Sequence, residues 1–403
     1  MNNLLENKKV LIGVTASIAI YKTLELIRLL IKAGAQTRVI MSEESKKFIT
    51  PLTFEAISQN SVLHIETESW ANDNNHIHIG KWADICVVAP ATANTINKIA
   101  NGIADNLLIQ TLLAFNKQIL FAPSANTNML MHPSTIESIK KLKNYGYKIV
   151  NPQNKLLACN DKGDGAMAEP KEIFFNICSS LLRDKFWSGK NVIITGGGTK
   201  EKIDDVRYIS NNSSGKMAKS LCLAAYYRGA NVTYISTDSV KNFPKEIDVI
   251  YAPSSSDIAI ALKNRLEKEK LEKETYLFMV AAVSDYICKE KFVGKLKKSD
   301  LGEEFSLNLI KNSDILKNID KNDIKTIGFK AEMDKKNALK NAREMLVNKN
   351  LDAVCLNIID NKNSFGSDQN EITLITKNSD ILLELNSKLN ISFQLLKELK
   401  HIG

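Results

Sequence analysis

The sequence KKVLIGVTASIAIYK, at residues 8–22, decides the fold of the first half of the chain. It begins with a short apolar run that predicts a buried strand, continues through a glycine and small residues, and ends with apolar residues at helical spacing. The sequence NVIITGGGTK, at residues 191–200, begins a second cycle of the same kind. Since a strand, a tight turn and a helix are the unit of parallel sheets, the chain is predicted to hold two α/β domains.

Short β-branched runs alternate with amphipathic stretches along both halves, a pattern that gives parallel sheets through right-handed crossovers. In the first half the predicted strands are KKVLIGVT (8–15), TRVIMS (37–42), ADICVVAP (83–90), QILFAPS (118–124) and YKIVNP (147–152). In the second half they are NVIITGGGT, NVTYIST, YLFMVAAVSDY, KTIGFKAE, LDAVCLNII and EITLIT. Residues 18–33, 92–115 and 261–276 are predicted to be helical, the last with a charged, solvated face. We predict two tandem Rossmann-like, doubly wound domains, 1–186 and 187–403.

The composition is that of a globular protein, with 403 residues of which 44% are hydrophobic and 25% charged. It excludes a disordered tail protein, a collagen and a disulfide-stabilised mini-protein. No window approaches the about 18 apolar residues of a membrane-spanning helix, and no signal-peptide pattern is present, so we expect a cytoplasmic protein without a membrane partner. The six cysteines show no CxxC spacing, which argues against a disulfide framework and a zinc knuckle. The net charge of +9 lacks interleaved arginine and aromatic residues, so phosphorylated small molecules are expected ligands and nucleic acid is not.

Small polar residues follow three predicted strands of the first half. Ligands of open α/β sheets bind at the carboxyl ends of the strands, where free N–H groups of a helix N-terminus suit a phosphate. His76 precedes a strand and can exchange a proton near neutral pH, although an isolated histidine is more often structural. Asn126 follows a strand, where a turn or a cap is its ordinary role. Cys159 is the one cysteine in a glycine-rich loop, a composition that suits a lid over a pocket.

These motifs carry a resemblance to a known family. Residues 8–176 resemble the flavin-dependent phosphopantothenoylcysteine decarboxylases, with GVTASIAIYK, FITPLTFEAIS, HIHIGKWAD, VAPATANTINKIANGIADNLL, PSANTNM and LLACNDKGDGAM in the order and spacing of that family. The resemblance implies FMN as cofactor, His76 as catalytic base with His78 as a second candidate, Asn126 as the amide that holds the substrate carboxylate, and Cys159 as the proton donor. The residues that it implies for FMN binding are Thr15, Ser17, Ser42, Thr92 and Asn94. One departure is Ala125, where the family carries Met.

The second half offers weaker signals when it is taken alone. TGGGT at 195–199 follows a strand and lets the backbone approach a phosphate, but a glycine-rich turn is a loose signal. Ser214-Gly215-Lys216 is no Walker P-loop, because Met217 stands where a magnesium-binding hydroxyl is required. The ordinary role of Ser213 is to cap a helix, and the lysines around Lys295 would ordinarily form a solvated loop.

Residues 190–376 resemble the phosphopantothenate–cysteine ligases, and the fusion of this ligase to the decarboxylase is a family of bacterial coenzyme A biosynthesis enzymes. The motifs are IDDVRYISNNSSGKM at 203–217, AAVSDY at 281–286 and the lysine cluster KLKK at 295–298. The resemblance implies that Asn211 contacts an acyl-cytidylate intermediate and that Lys295 stabilises the transition state. The residues that it implies for nucleotide binding are Asp285, Asn312, Ser313, Asp314, Ile315, Phe329 and Lys349. It also implies Mg²⁺ as a partner of the nucleotide, and the sequence does not identify the metal ligands.

Three residues of the second half depart from the ligase pattern: Ala218 stands where Gly is usual, Ser313 where the family carries Pro, and Met345 where relatives usually carry Lys. The change at Met345 removes one expected phosphate contact. We predict a bifunctional enzyme that joins cysteine to 4'-phosphopantothenate with CTP and then decarboxylates the product with FMN. The alternatives are an FMN-dependent decarboxylase with an impaired ligase half and a non-catalytic flavoprotein regulatory subunit. The resemblance further implies a homo-oligomer based on trimers, up to a dodecamer, with paired ligase domains.

Overall fold

A computed structural model describes residues 3–156, 162–269, 274–297, 301–360, 363–364 and 366–401. The chain divides into two compact units, Met1–Leu182 and Arg183–Gly403. Each unit is built around a mainly parallel sheet of its own. None of the helices in the described residues is long and apolar enough to cross a membrane.

The sheet of the first unit has five parallel strands in the order β2-β1-β3-β4-β5. The strands are β1 (Lys9–Val14), β2 (Gln36–Met41), β3 (Ile85–Ala91), β4 (Ile119–Pro123) and β5 (Lys148–Ile149). Strand β3 is buried at all seven residues, as expected for a parallel strand with helices on both faces of its sheet. The doubly wound fold is confirmed, although β5 covers only two residues of the predicted strand 147–152.

Helices connect the strands of the first unit. They are α1 (Tyr21–Lys32), α2 (Pro51–Ser58), α3 (His76–Trp82), α4 (Ala93–Ala100), α5 (Leu107–Ala114), α6 (Thr127–Met131), α7 (Pro133–Asn144) and α8 (Pro170–Leu181). The helical stretch predicted at 92–115 is two helices, because Gly102 takes a φ of +69° after α4 and Asn106 caps α5. A hairpin of β6 (Gln153–Leu156) and β7 (Lys162–Ala166) is not predicted, since its polar residues and glycines give no strand pattern.

The sheet of the second unit has eight strands in the order β12-β11-β8-β13-β16-β17-β18-β19. The strands are β8 (Asn191–Gly196), β11 (Asn231–Ser236), β12 (Asp248–Tyr251), β13 (Thr275–Met279), β16 (Ile324–Glu332), β17 (Ala353–Ile358), β18 (Gln369–Thr376) and β19 (Asp380–Ser387). The first six strands of this sheet order are parallel to one another. Strands β18 and β19 extend the sheet by antiparallel pairing. Counted along the chain, the parallel strands have the order 3-2-1-4-5-6 of the Rossmann fold, which confirms the predicted class.

Two short hairpins and the α-helices named below belong to the described part of the second unit. The hairpins are β9 (Lys200–Lys202) with β10 (Tyr208–Ser210), and β14 (Tyr286–Cys288) with β15 (Leu309–Lys311). The helices are α9 (Lys216–Tyr227), α10 (Ser255–Glu269), α11 (Ile315–Asn318), α12 (Ala338–Asn348) and α13 (Lys388–Glu398). The predicted strand YLFMVAAVSDY therefore separates into β13 and β14, and the helix predicted at 261–276 begins earlier and ends before β13. Strands β12 and β19 are not predicted, because several of their residues are exposed and no continuous apolar run marks them.

Helix α9 approaches the end of β8 closely. It begins after Gly215, which has a φ of +65°, so Ser213 is not the cap that the sequence suggests. A Cβ on Gly196 would lie 2.4 Å from the Cβ of Ala218 and 2.7 Å from the hydroxyl of Tyr234. The methyl group of Ala218 therefore occupies the space that Gly196 leaves free, and the fold accommodates the departure at Ala218.

We predict that Gly196→Ala destabilises the second unit by about 1–3 kcal/mol, because two Cβ atoms cannot share this space. Adding Ala218→Gly should recover part of the loss, although Ala218→Gly alone costs about 1 kcal/mol of helix propensity. The measurement is a double-mutant cycle from denaturant midpoints of the full chain. Gly80→Ala is the control, since its new Cβ would have its nearest contact at 3.6 Å. Additive effects of the two substitutions would show that Gly196 and Ala218 do not share this space.

Candidate functional site

A cavity of about 930 Å³ opens at the carboxyl ends of β1, β3 and β4 in the first unit. It lies where the strand order reverses between β1 and β3, the position at which open α/β sheets bind ligands. Six of the predicted site residues line it: Thr15, Ser17, Ser42, Thr92, Asn94 and Asn126. The structure thus brings the predicted flavin residues and the predicted substrate amide to one cavity.

Hydroxyl groups connect the strand ends that form this cavity. The Thr15 hydroxyl donates to the carbonyl of Pro90 at 2.7 Å and accepts from the N–H of Thr92 at 3.1 Å. The hydroxyls of Ser17 and Ser124 are 2.9 Å apart, and the N–H of Ser42 donates to the backbone at the end of β1. These bonds hold the ends of β1 to β4 in place around the cavity.

The cavity has the size and chemistry that a flavin nucleotide requires. Its volume lies within the range of cofactor sites, about 300–1,000 Å³. Its lining includes apolar side chains such as Ile18, Leu108 and Met129, which suit a flat aromatic ring. It also includes Thr92, the cap of α4, and the small residues that follow β1, where backbone N–H groups suit a phosphate.

The hairpin β6–β7 packs against the segment that carries Asn126. The Asn126 side chain accepts from the N–H of Asn128 at 2.9 Å, so the turn role of this residue is present. A Cβ on Gly163 would lie 2.2 Å from the hydroxyl oxygen of Thr127, and the N–H of Ala125 donates to the carbonyl of Gly165. Cys159 lies between the two strands of this hairpin in the chain, outside the described residues.

An ion-pair network joins the hairpin to the body of the first unit. Lys22 on α1 donates to Glu169 at 3.2 Å, and Lys155 on β6 donates to the same carboxylate oxygen at 2.5 Å. All three residues line the cavity. Glu169 therefore fixes one arm of the hairpin beside the cavity, and its single charge leaves the two lysines with one net positive charge there.

His76 does not line this cavity. It begins α3, where its Nδ1 lies 2.6 Å from Glu68 and its ring meets Trp70 edge to face. His78 contacts the side chain of Asn75, the buried cap of α3. Within one chain, the described residues thus do not bring His76 together with Asn126.

In the second unit a cavity of about 190 Å³ lies at the carboxyl ends of β8, β13, β16 and β17. Phe329 is the predicted site residue that lines it. Residues that the sequence analysis missed also line it, namely Lys216, Lys330, Asn370 and Lys388. In the sequence Asn370 stands out only because it is polar at an inward position of a strand. Lys388 follows β19, a strand that the sequence does not predict.

A second group of predicted residues surrounds the chain after β13. The side-chain amides of Asn211 and Asn312 donate to the carbonyls of Val283 and Ser284 at 3.0 and 2.8 Å. The N–H of Asn312 also donates to the carbonyl of Asp285. The structure therefore places Asn211, Asp285 and Asn312 together.

Lys295 is exposed, and its neighbours are held by residues of the motif at 203–217. Asp204 accepts from the N–H of Leu296, and Arg207 donates to the carbonyl of Leu296 at 2.9 Å. Asp205 accepts from the N–H of Gly294 at 2.7 Å. The guanidinium of Arg207 holds the pKa of the Asp204 carboxyl below its usual range, so Asp204 stays ionised as an acceptor.

The remaining predicted residues lie elsewhere. Ser313 and Ile315 line a further cavity of about 650 Å³, which Asn312 also lines. Lys349 forms an ion pair with Asp314 at 2.9 Å. Burial opposes ionisation of Asp314, but the hydrogen bond and charge of Lys349, together with the N–H and charge of Lys317, outweigh it and lower the pKa of the carboxyl. Met345 packs beside Gly328, at 2.8 Å from a Cβ built there.

Among the described residues, no group of three or more histidine, cysteine, aspartate or glutamate side chains is placed to hold a metal ion. A nucleotide-bound Mg²⁺ needs fewer protein ligands, since the phosphates and water supply most of its oxygens.

Comparisons with known proteins cover both units. A family model described as "Flavoprotein" matches residues 1–182, and one described as "DNA/pantothenate metabolism flavoprotein C-terminal domain" matches residues 187–402. The chain is 38% identical to the coenzyme A biosynthesis bifunctional protein CoaBC of Haemophilus influenzae, over 98% of both chains. It is 36% identical to that of Borreliella burgdorferi, over 97% of this chain and 99% of the relative. A solved structure of a PPC decarboxylase mutant complexed with pantothenoylaminoethenethiol is 33% identical over 42% of this chain and 96% of that chain, with a TM-score of 0.39.

We predict that the folded protein exposes no more than one fast-reacting thiol, that of Cys159. The described cysteines are free and buried: Cys86, Cys178, Cys222, Cys288 and Cys355. Burial raises the pKa of the thiols of Cys86, Cys178, Cys222 and Cys355, which suppresses the reactive thiolate. Titration with Ellman's reagent should find at most one thiol within minutes and all six after denaturation. Two fast thiols, or one that survives in Cys159→Ser, would contradict the prediction.

Proposed function

We infer the function from the family to which the chain belongs, that of the coenzyme A biosynthesis bifunctional proteins. The enzyme accordingly combines a flavoprotein decarboxylase with a ligase. We propose that residues 1–186 are the decarboxylase domain and residues 187–403 the ligase domain. The ligase would join cysteine to 4'-phosphopantothenate, and the decarboxylase would convert the product to 4'-phosphopantetheine.

The observation that carries the decarboxylase assignment is the cavity that gathers the predicted flavin residues and Asn126. Thr15, Ser17, Ser42, Thr92 and Asn94 would hold FMN there. Bound FMN supplies a reversible oxidation of the substrate thiol, which places a thiocarbonyl beta to the carboxylate and so creates the electron sink for loss of carbon dioxide. The Asn126 amide would orient that carboxylate, and Cys159 would donate the proton that completes the product.

The position of His76 supports a homo-oligomer. A base must come within hydrogen-bond reach of the proton that it removes, and His76 does not line the cavity of its own chain. We propose that a neighbouring subunit presents its His76, in an assembly based on trimers. Large apolar side chains such as Tyr21, Leu52 and Trp70, each at least 60% exposed, offer surface for such contacts. We place this assembly in the cytoplasm.

For the ligase we propose CTP as the nucleotide, with Mg²⁺ bound mainly by its phosphates. The carboxylate of 4'-phosphopantothenate would attack the α-phosphate, so that pyrophosphate leaves and an acyl-cytidylate forms. The amine of cysteine would then displace CMP. Asn211, Asp285 and Asn312 lie together after β13 and would contact the intermediate, while Lys295 would approach the phosphates from its anchored segment.

Cys159→Ser is predicted to release carbon dioxide but to make no 4'-phosphopantetheine, because a serine hydroxyl is a far weaker acid than a thiol of pKa ~8.5. An oxidised aminoenethiol product should accumulate, detectable by mass spectrometry. His76→Asn is the contrast, since loss of the base should prevent carbon dioxide release. Normal 4'-phosphopantetheine yield from Cys159→Ser would remove Cys159 from the mechanism, and full turnover by His76→Asn would direct the search to His78.

Lys295→Gln and Asn211→Asp are predicted to stop the ligase at different steps. Lys295→Gln should block pyrophosphate release, because the phosphates lose a cation as charge develops. Asn211→Asp should allow activation and accumulate acyl-cytidylate, since a negative charge then faces the intermediate. Pyrophosphate and acyl-cytidylate are measured separately, and Lys297→Gln is the control because Lys297 is also exposed on the same segment. A block before pyrophosphate release in both variants would contradict these roles.

A further inference from the structure

Asn370 occupies an inward position of strand β18, where the pattern of the strand calls for an apolar residue. From Gln369 to Leu374 every second residue of this strand is buried, and Ile372 and Leu374, on the same face as Asn370, are fully buried. Asn370 itself is 3% exposed. An amide at such a position is stable only where its polar atoms find partners.

The amide of Asn370 has one weak partner within the described part of the chain. Its Nδ2 donates to the sulfur of Met217 at 3.7 Å, and its Oδ1 has no hydrogen-bond partner among the described residues. A thioether sulfur is a weak acceptor, so it favours the orientation in which the NH₂ group faces Met217. The carbonyl oxygen is then left as a buried acceptor without a donor.

Asn370 lines the same cavity as Phe329 and the start of α9. Helix α9 has 12 residues, and Ser214, Gly215 and Lys216 at its start form one part of the cavity wall. Free N–H groups and the Lys216 ammonium suit a phosphate, whereas Phe329 suits the face of a base. Asn370 is therefore placed to contact a nucleotide.

Two lysines fix the turn that precedes Asn370. Lys216 donates to the carbonyl of Gly366 at 2.7 Å and pairs with Asp368 at 2.6 Å. Lys388 donates to the carbonyls of Ser367 and Gln369. Asn370 thus projects from a segment tied to the first turns of both α9 and α13.

We propose that Asn370 selects the base of the nucleotide by accepting a hydrogen bond from its exocyclic amino group. This inference rests on the proposed ligase function and deepens it. The 4-amino group of cytosine would pair with the unpaired Oδ1, whereas the 4-oxo group of uracil would place two acceptors against each other. Asn370 would accordingly discriminate CTP from UTP without contact to the reacting carboxylate.

The test compares Asn370→Leu with the parent, because leucine keeps the branched shape of asparagine and removes both polar atoms. We expect kcat/KM for CTP to fall about 10-fold or more while that for UTP stays within about 3-fold, so that the preference collapses. Without nucleotide, Asn370→Leu should melt at the parent temperature or above it, since an unpaired buried acceptor has been removed. The rise in melting temperature on adding CTP should be smaller than in the parent.

Asn191→Leu is the matched control. Asn191 is also buried in this sheet, at its amino edge, and its side chain accepts a hydrogen bond from Asn231. This variant should melt lower and keep the CTP preference. An Asn370→Leu variant that melts lower and retains the preference would make Asn370 a structural residue and overturn the inference. Failure of CTP to stabilise the parent would overturn it as well, whereas stabilisation by CTP without ligation products would contradict the proposed function alone.

Discussion

The reversal of strand order beside the first strand of the sheet creates the space on which each unit depends. In the first unit β1 pairs with β2 and β3, and in the second β8 pairs with β11 and β13. The strand orders send the crossover from β1 to β2 and the crossover from β3 to β4 in opposite directions, and the second sheet diverges in the same way after β8 and β13. Right-handed crossovers in opposite directions lie on opposite faces of the sheet, so neither covers the carboxyl ends between the two strands. The cavity lined by Thr15 and the cavity lined by Phe329 both lie at this position.

Site residues that come directly after a strand are the ones that the sequence predicts best. Thr15, Ser17 and Thr92 each come after a buried apolar run, and the sheet order brings the ends of those runs together. His76 shows the limit, because its distance from the cavity depends on how a long connection folds and not on periodicity. Asn370 and Lys388 could not be predicted as cavity residues, since they arrive through antiparallel strands whose pairing has no local signal.

The lysines that line the cavity of the second unit are not the ones that the sequence analysis led us to expect. Lys349 is engaged by Asp314, and Met345 packs beside Gly328, so neither is among the residues that line the cavity of Phe329. Lys216, Lys330 and Lys388 line it instead. Burial and the charge of Lys216 lower the pKa of Lys388, and a bound phosphate would oppose both effects. Met345 therefore contributes no charge to this cavity, and its lysines belong to α9, β16 and α13 instead.

The shared space between Gly196 and Ala218 restricts the order in which these two positions can change during evolution. Two alanines would overlap here, because their Cβ atoms would be 2.4 Å apart. Two glycines leave only a small void, which a protein tolerates better than overlap. A lineage that acquires Ala218 must therefore already carry Gly196, and the Tyr234 hydroxyl, 2.7 Å from the same Cβ position, restricts residue 196 even where residue 218 is glycine.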